Sequence, residues 1–334
     1  MAGGAGTAAF QSMANSLTNV RLKATESASI IDKMGEGLKR SLGWTAASTV
    51  INKFTGSIQE AYGYVKHLDT SLNDIRIVTE YSADAMDKFA EKANKAAISL
   101  GKSTTDYTEA ALIYYQQGLG EEDVAARTNV TLKTANVTQQ STAQVSEELT
   151  AIWNGYKVNA EEAELYIDKV AKVAATTAAD LEEMATGMSK VASAANVMGV
   201  DIDQMNAILA TTISVTRQAP ESVGAAYKTI FARMSSIQAG EETEDGATLA
   251  SYTEKMAAMG VSVLDTNGKL RDMGDIIEEV GEKWSDWGRE QQIAFAQVAA
   301  GTRQYNNLIA LFDNWDMYKQ SLEDSRNAMG TLQT

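Results

Sequence analysis

The chain has 334 residues, of which 44% are hydrophobic and 22% are charged, a composition that can bury a core and excludes wholesale disorder. Its net charge of −15, from 44 acidic and 29 basic residues, disfavours nucleic-acid binding through a basic face. Cysteine is absent, which excludes disulfides, thiolate zinc sites and cysteine nucleophiles, and Pro220 is the one proline, so helices must end at glycines and caps.

Residues 1–60 are predicted to form an N-terminal segment that is helical or mobile. Apolar residues recur at helical spacing over 30–69, and the glycine-rich stretch 35–43 interrupts that pattern. The first residues lack the basic and apolar regions of a secretory signal, so synthesis and assembly in a cytoplasm are expected. No run of 18 apolar residues occurs, and therefore no transmembrane span is predicted.

Residues 61–238 are predicted to form a helical core module, in which one helix begins after Ser82 and four further starts carry capping signals. In each of the four, a hydroxyl, amide or carboxylate can accept from a free backbone N–H, and the residue three positions later can bond back. The four starts are Ser103, Asn159, Asp180 and Asp201.

The last three of these starts are spaced 21 residues apart, and the first two of the resulting segments share a Lys-Val-Ala sequence at Lys169 and Lys190. This spacing predicts helices of roughly four turns, joined by short loops and stacked as antiparallel neighbours. Because 21 residues are also three heptads, one continuous coiled coil is the competing interpretation. Gly199 and the Ala-Thr-Thr-Ala-Ala run before Asp180 favour breaks between helices.

Residues 239–334 are predicted to form an acidic loop, a β-hairpin and C-terminal helices. The stretch 239–247 is acidic with few apolar side chains, and after it Asn267-Gly268 between short alternating segments predicts a type I′ hairpin near residues 261–273. Helices are predicted at 273–287, 289–300 and 304–322. The chain ends without a closing element, so it is expected to continue in a longer protein. The predicted fold class is mainly α, a multi-helix antiparallel bundle or array with this one hairpin.

A phosphate-binding loop is the first candidate for chemistry, since Gly101-Lys102-Ser103 matches the end of such a loop. The loop needs a glycine five residues earlier, where the sequence has Ala96, and the preceding stretch is helical rather than a strand. The segment is therefore interpreted as a glycine-terminated helix followed by a capped one.

The sequence also contains adjacent carboxylate pairs and potential metal ligands. The adjacent pairs are attributed to solvated helix starts, because neighbours on a helix point about 100° apart. His67 is the one histidine and Asp201-Ile-Asp203 lacks the rest of a calcium loop, so neither predicts a metal site. The pairs are Glu121/Glu122, Glu147/Glu148, Glu161/Glu162, Glu182/Glu183, Glu241/Glu242 and Glu278/Glu279.

Aromatic residues concentrate in the C-terminal third, and Trp284 and Trp287 share one face of a helix. Together with Tyr305, Phe312 and Trp315 they are predicted to pack in the core, with a partner interface as the second possibility. No catalytic, cofactor-binding or metal-binding residue is predicted, and the chain is not expected to be an enzyme.

Four segments, in order, resemble phage tail tape measure proteins from phages of Gram-positive bacteria. They are GVDIDQMNAILA from Gly199, GAAYKTIFARM from Gly224, GVSVLDTNGKLRDM from Gly260 and AGTRQYNNLIALFDNW from Ala300. The resemblance covers about residues 75–325. It implies a structural virion protein of the tail lumen or tip, present in the host cytoplasm during assembly, that takes part in tail assembly, length determination and genome delivery.

The same resemblance implies a set of partners: the tail tube protein, tail tip or distal tail proteins, and tail assembly chaperones. It also implies self-association as a small oligomer, phage DNA nearby without specific binding, and contact with the host membrane during ejection. A helix rises about 1.5 Å per residue, so 334 residues span at most roughly 500 Å. We therefore hypothesise that 61–334 is a compact or refoldable module, and that the measuring part lies elsewhere.

Two other classes of protein are compatible with the sequence. One is a helical interaction module of a secreted bacterial protein, which the missing signal peptide disfavours for the general secretion route. The other is a muralytic enzyme, which the scarcity of histidine and the absence of cysteine disfavour.

Overall fold

The computed structural model describes residues 58–238 and 248–328. These residues form thirteen α-helices and one short 3-10 helix, so the predicted mainly α class is confirmed. The helices are α1 (Ile58–Thr79), α2 (Ala83–Ser99), α3 (Thr104–Gln116), α4 (Glu121–Thr138), α5 (Thr142–Tyr156), α6 (Ala163–Thr176), α7 (Leu181–Val197), α8 (Ile202–Thr216), α9 (Pro220–Gln238), α10 (Leu249–Ala258), α11 (Met273–Lys283), the 3-10 helix Trp284–Asp286, α12 (Arg289–Phe312) and α13 (Trp315–Arg326).

The chain divides into two compact units between Lys133 and Thr134, a point that lies within α4. The predicted N-terminal segment up to residue 57 and the acidic loop 239–247 lie outside the described residues. The boundaries placed near residues 60 and 238 from the sequence therefore stay predictions.

In the first unit, α3 packs against both α1 and α2. The ring of Phe89 on α2 lies 5.8 Å from that of Tyr115 and 6.4 Å from that of Tyr107, both on α3. The hydroxyls of Tyr114 on α3 and Thr131 on α4 share a buried hydrogen bond of 2.6 Å. Aromatic packing and this bond hold the unit's helices together.

In the second unit, the closest neighbours are not consecutive helices, in contrast to the predicted stacking of each helix against the next. The most extensive packing joins α7 to α5 and to α9, and α8 to α13. Every residue of 204–213 in α8 is buried, so α8 is the central helix of this unit. Neither α8 nor any other helix within the two described ranges is long and apolar enough to cross a bilayer.

Most of the helix starts that the sequence predicted are confirmed, and their side-chain caps are formed. Ser103, Asp180 and Asp201 each form a complete capping box with the residue three positions later. The side chain of Ser82 accepts a hydrogen bond from the backbone N–H of Ala85 at the start of α2. These caps satisfy N–H groups that the helix itself leaves without partners.

The start predicted at Asn159 is wrong by one turn. Asn159 accepts a hydrogen bond of 2.9 Å from the backbone N–H of Glu162 within a turn, and α6 begins only at Ala163. The competing continuous coiled coil is also wrong. Lys157 has φ 56° after α5 and Gly199 has φ 69° after α7, conformations that interrupt a right-handed helix.

The helix predicted over 304–322 is wrong as well, because it is two helices. α12 runs to Phe312 and α13 begins at Trp315, with Asp313 and Asn314 between them. The predicted break after residue 300 is a kink inside α12, where Gly301 has φ 71° and ψ 169°.

The predicted β-hairpin near residues 261–273 is not formed, since no strand occurs in the described part of the chain. A single antiparallel bridge joins Leu264 and Leu270. The carboxylate of Asp265 accepts from the backbone N–H groups of Asn267 and Lys269, both at 2.8 Å. Only Gly268 of the Asn-Gly pair has positive φ, so the turn is not type I′, which needs positive φ at both residues.

Candidate interaction surface

The segment Gly101-Lys102-Ser103 is a connection between two helices. Gly101 has φ 68°, and the backbone N–H of Lys102 bonds to the carbonyl of Ala97 at 2.9 Å, which closes the end of α2. The hydroxyl of Ser103 and the carboxylate of Asp106 are both engaged in the cap of α3. These contacts are those of a loop that ends one helix and begins the next.

Several of the carboxylate pairs lie at helix starts, and others are tied to neighbours. Glu182 and Glu183 lie in the first turn of α7, where the helix dipole favours negative charge. Glu279 bonds to Arg271 at 2.5 Å and to Lys283 at 2.7 Å. Partial burial opposes ionisation of Glu279, but the bonds from these two cations outweigh it and lower its pKa. Glu241 and Glu242 lie outside the described residues.

His67 is an exposed residue of α1. Across residues 58–238 and 248–328, no three or more His, Asp or Glu side chains are grouped so that they could hold a metal ion. Asp201 is occupied as the N-cap of α8, and Asp203 is part of a hydrogen-bonded network.

That network links three helices of the second unit through the carboxylate of Asp203 on α8. Lys169 on α6 donates to its two oxygens at 2.8 and 2.7 Å, and the two side chains are only 16% and 14% exposed. The hydroxyl of Ser325 on α13 donates to Asp203 at 2.6 Å and accepts from Asn206 at 3.0 Å. A paired and hydrogen-bonded charge tolerates such burial, whereas an isolated one does not.

A second carboxylate, Glu278 on α11, fixes α13 at two further points. It accepts a long hydrogen bond of 3.5 Å from the hydroxyl of Tyr318 and lies 3.6 Å from the guanidinium of Arg326. The amide of Gln204 also donates to it, at 2.9 Å. Polar side chains of α13 therefore attach it to α11 through Tyr318 and Arg326 and to α8 through Ser325.

The predicted aromatic cluster is only partly in the core of the second unit, because Trp284 and Phe312 are buried whereas Trp287, Tyr305 and Trp315 are half-buried. Trp287 also follows the 3-10 helix, so it does not share a helix face with Trp284, contrary to the prediction. The ring of Trp284 lies 4.8 Å from that of Phe312, and both side chains are nearly fully buried. Trp315 stacks on Tyr318 at 4.2 Å, and Phe295, which the sequence analysis missed, joins Trp284 and Phe312. Tyr305 is half-buried on α12 and has no ring contact with these residues in the described structure.

Glycines bring α5, α7 and α9 unusually close together. A Cβ atom added at Gly155 of α5 would lie 2.6 Å from the Cβ of Ala192 on α7, and one added at Gly224 of α9 would lie 2.2 Å from the carbonyl oxygen of Gly187. Such distances leave no room for any larger residue. The three backbones frame an open groove of about 520 Å³.

The exposed side of α7 lies in the middle of this groove, and we call this side of the helix the α7 face. It consists of Glu182, Thr186, Ser189, Lys190, Ser193 and Val197, and Val197 is 72% exposed. Most of these side chains are small, as are those that α5 and α9 contribute to the groove, apart from Lys228 and Phe231. A groove of small residues beside an exposed valine is a surface on which another helix can pack closely.

Charge is divided along the α7 face. Its N-terminal half carries Glu182, with Glu148 of α5 beside it, and its C-terminal half carries Lys190, with Lys228 of α9 beside it. Within the described residues, none of these four side chains has an oppositely charged partner within 4 Å. This surface was not predicted from the sequence, although the equivalence of Lys169 and Lys190 in the 21-residue spacing was a signal for it.

Comparison with known proteins identifies a family. The family model described as phage-related minor tail protein matches residues 90–301, which include α3 to α11 and the whole α7 face. No solved structure matches the chain.

Proposed function

Since the chain belongs to the phage-related minor tail protein family, we propose that it is a tape measure protein. It is a structural component of the phage tail by family, and the proposal gives it a role in tail assembly, in tail length determination and in delivery of the genome into the host. Support comes from the matched region itself, where capped helices of similar length follow one another through short connections.

The helices of this region constrain how such a protein could measure length. A fully helical, extended chain gains about 1.5 Å per residue, but helices that fold back on one another span far less than their summed length. The described part of this chain is folded in that second way. In the proposal it is therefore a packed module of the tape measure, and tail length depends on a more extended part.

The proposed role is structural and not catalytic. The polar groups with the densest contacts serve the fold: Asp203 is neutralised by Lys169, Glu279 by Arg271, and Asp180 caps α7. A cell-wall zymogram with the purified chain tests this part, and a cleared band would contradict it.

The proposed location is the lumen or tip of the tail, after assembly in the host cytoplasm. The proposed partners are the tail tube protein, the tail tip or distal tail proteins and the assembly chaperones, together with further copies of the chain in a small oligomer. Phage DNA would pass nearby without specific binding, which a net charge of −15 favours because like charges repel. Contact with the host membrane is proposed for the ejection step.

The decisive experiment removes the chain from the phage and supplies it again from a plasmid. Without it, we expect no tails of normal length by negative-stain electron microscopy, and complementation should restore them. Complementation with an exposed substitution on α9, Ala225→Ser, is the matched control and should restore normal tails. Tails of normal length in the absence of the chain would contradict the tape measure proposal.

A second experiment tests whether the described helices form a packed module and not the extended ruler. Duplicating a short helix such as α10 should leave tail length unchanged, because a folded insertion does not extend the chain. A lengthening of about 1.5 Å for each inserted residue would instead show that this region itself is the extended ruler.

A further inference from the structure

The lysine that begins the repeated Lys-Val-Ala sequence has a different environment in its two occurrences. Lys169 on α6 is paired with Asp203 on α8, at 2.7 Å. Advancing both positions by the 21-residue spacing gives Lys190 on α7 and Gly224 on α9. These two are again in contact, since a Cβ added at Gly224 would lie 3.0 Å from the Cβ of Lys190.

The contact between the lysine and the position 34 residues after it is therefore repeated, but Gly224 provides no carboxylate where Asp203 does. The close approach of α7 and α9 allows only glycine at position 224, so the second lysine has no equivalent of the acidic partner of the first. Lys190 is exposed, and Lys228 lies along the same groove. Two neighbouring ammonium groups without counterions favour a carboxylate supplied from outside the chain.

Glu182, on the same face of α7, lacks a basic partner. Burial and the nearby carboxylates of Asp180, Glu148 and Glu183 raise its pKa above the usual value. Glu148 accepts hydrogen bonds from Gln140, Gln144 and Thr186, all of which are uncharged. The acidic half of the α7 face therefore favours a cation from outside the chain.

The acidic and basic halves of the α7 face are arranged so that they complement those of a second copy that is rotated by 180°. Glu182 and Lys190 lie four residues on either side of Thr186, each about 6 Å from it along the helix axis. When two copies of a helix pack antiparallel about Thr186, Glu182 of each copy meets Lys190 of the other. A two-fold axis makes every such contact twice, which doubles the effect of one favourable pair.

We propose that the α7 face binds the α7 face of a second copy of this chain, antiparallel about Thr186, with two reciprocal Glu182–Lys190 ion pairs. The small residues Ser189 and Ser193 allow the two helices to approach closely, and the exposed Val197 of each copy is covered. The inference deepens the self-association included in the proposed function, and rests on it. A single helix face with its flanks is a small interface, so the dimer is expected to be weak, with a dissociation constant of about 1–100 µM.

Sedimentation equilibrium of the purified full chain tests the inference. We expect a concentration-dependent dimer for the unmodified protein. Lys190→Glu and Glu182→Lys should each weaken dimerisation at least roughly tenfold, because each places like charges opposite one another twice. The double variant with both changes should return to within roughly threefold of the original dissociation constant. Lys255→Glu, on the exposed side of α10, makes the same charge change away from the face and should have no effect.

Far-UV circular dichroism accompanies each variant, and the exposed positions should leave the helical signal unchanged. A chain that stays monomeric up to about 100 µM would overturn the inference. So would a dimer that neither single change weakens, or single changes that the double variant does not rescue. Because the measurement uses the purified chain, its failure leaves the tail-length experiment untouched, and normal tails without the chain would leave a measured dimer in place.

Discussion

The carbonyl oxygen of Gly187 lies so close to Gly224 that a Cβ atom at position 224 would be only 2.2 Å from it. This contact sets the distance between α7, which carries the α7 face, and α9, which lies beside it. The neighbouring atom is backbone and cannot rotate away, so the fold has no inexpensive way to accept a side chain at this position.

Gly224→Ala should therefore destabilise the second unit by about 1–3 kcal/mol, the range for forced overpacking. Urea denaturation followed by circular dichroism measures the change. Ala225→Ser adds an atom on the exposed side of the same helix and should change the free energy of unfolding by less than about 0.5 kcal/mol. Equal effects of the two substitutions would mean that α7 and α9 can move apart freely.

Asp203→Asn should destabilise the fold by roughly 2–3 kcal/mol, somewhat below the cost of breaking a fully buried ion pair, since both side chains are partly exposed. The loss arises because Lys169 is left with an unneutralised charge in a mostly buried position. The double variant Lys169→Met with Asp203→Leu should recover most of that stability. If the double variant is as unstable as the single one, packing and not charge accounts for the effect.

Asp180→Ala should cost about 1 kcal/mol, because it removes the side chain that accepts from the backbone N–H of Glu183 at the start of α7. Asp180→Ser retains a capping oxygen and serves as the matched variant, with most of the stability kept. Thermal unfolding of both proteins gives the comparison. Identical unfolding temperatures for the Ala and Ser variants would show that the cap contributes little.

Alkaline pH should destabilise the protein through its buried tyrosines. Burial raises the pKa of Tyr107 to about 12, and it also raises the pKa values of Tyr227 and Tyr252, which are fully buried. A folded-state pKa above the unfolded value of about 10 means that the stabilisation is complete below pH 10 and is lost as pH rises further.

Absorbance at the tyrosinate band, recorded with circular dichroism, checks this. We expect the buried tyrosines to ionise only together with the loss of helical signal. Ionisation of all 12 tyrosines near pH 10 by a chain that stays helical would contradict the assigned burial.

What the sequence predicted correctly was local. The starts at Ser103, Asp180 and Asp201 depend on contacts within three residues, so the pattern alone identifies them. Asn159 has the same pattern but bonds within a turn, because the next residues continue as a turn before α6. The local pattern does not distinguish an Asx turn from an N-cap.

What the sequence could not predict depends on contacts between distant segments. The turn at Asn267-Gly268 is a local exception: this is the preferred pair for a tight hairpin, yet Asp265 bonds to two backbone N–H groups within four residues and selects a wider turn. The α7 face arises because Gly155 and Gly224 allow close approach of helices that are not consecutive, and glycine in a sequence does not show which helix it admits. The absence of an acidic partner for Lys190 is likewise visible only once α9 is placed beside it.

The attachment of α13 has a consequence for how the second unit responds to force. Tyr318 near one end of this helix and Arg326 at the other both contact Glu278, while Ser325 contacts Asp203. Any force that lifts α13 from the second unit must therefore break its bonds to both carboxylates, Glu278 and Asp203, before α8 is uncovered.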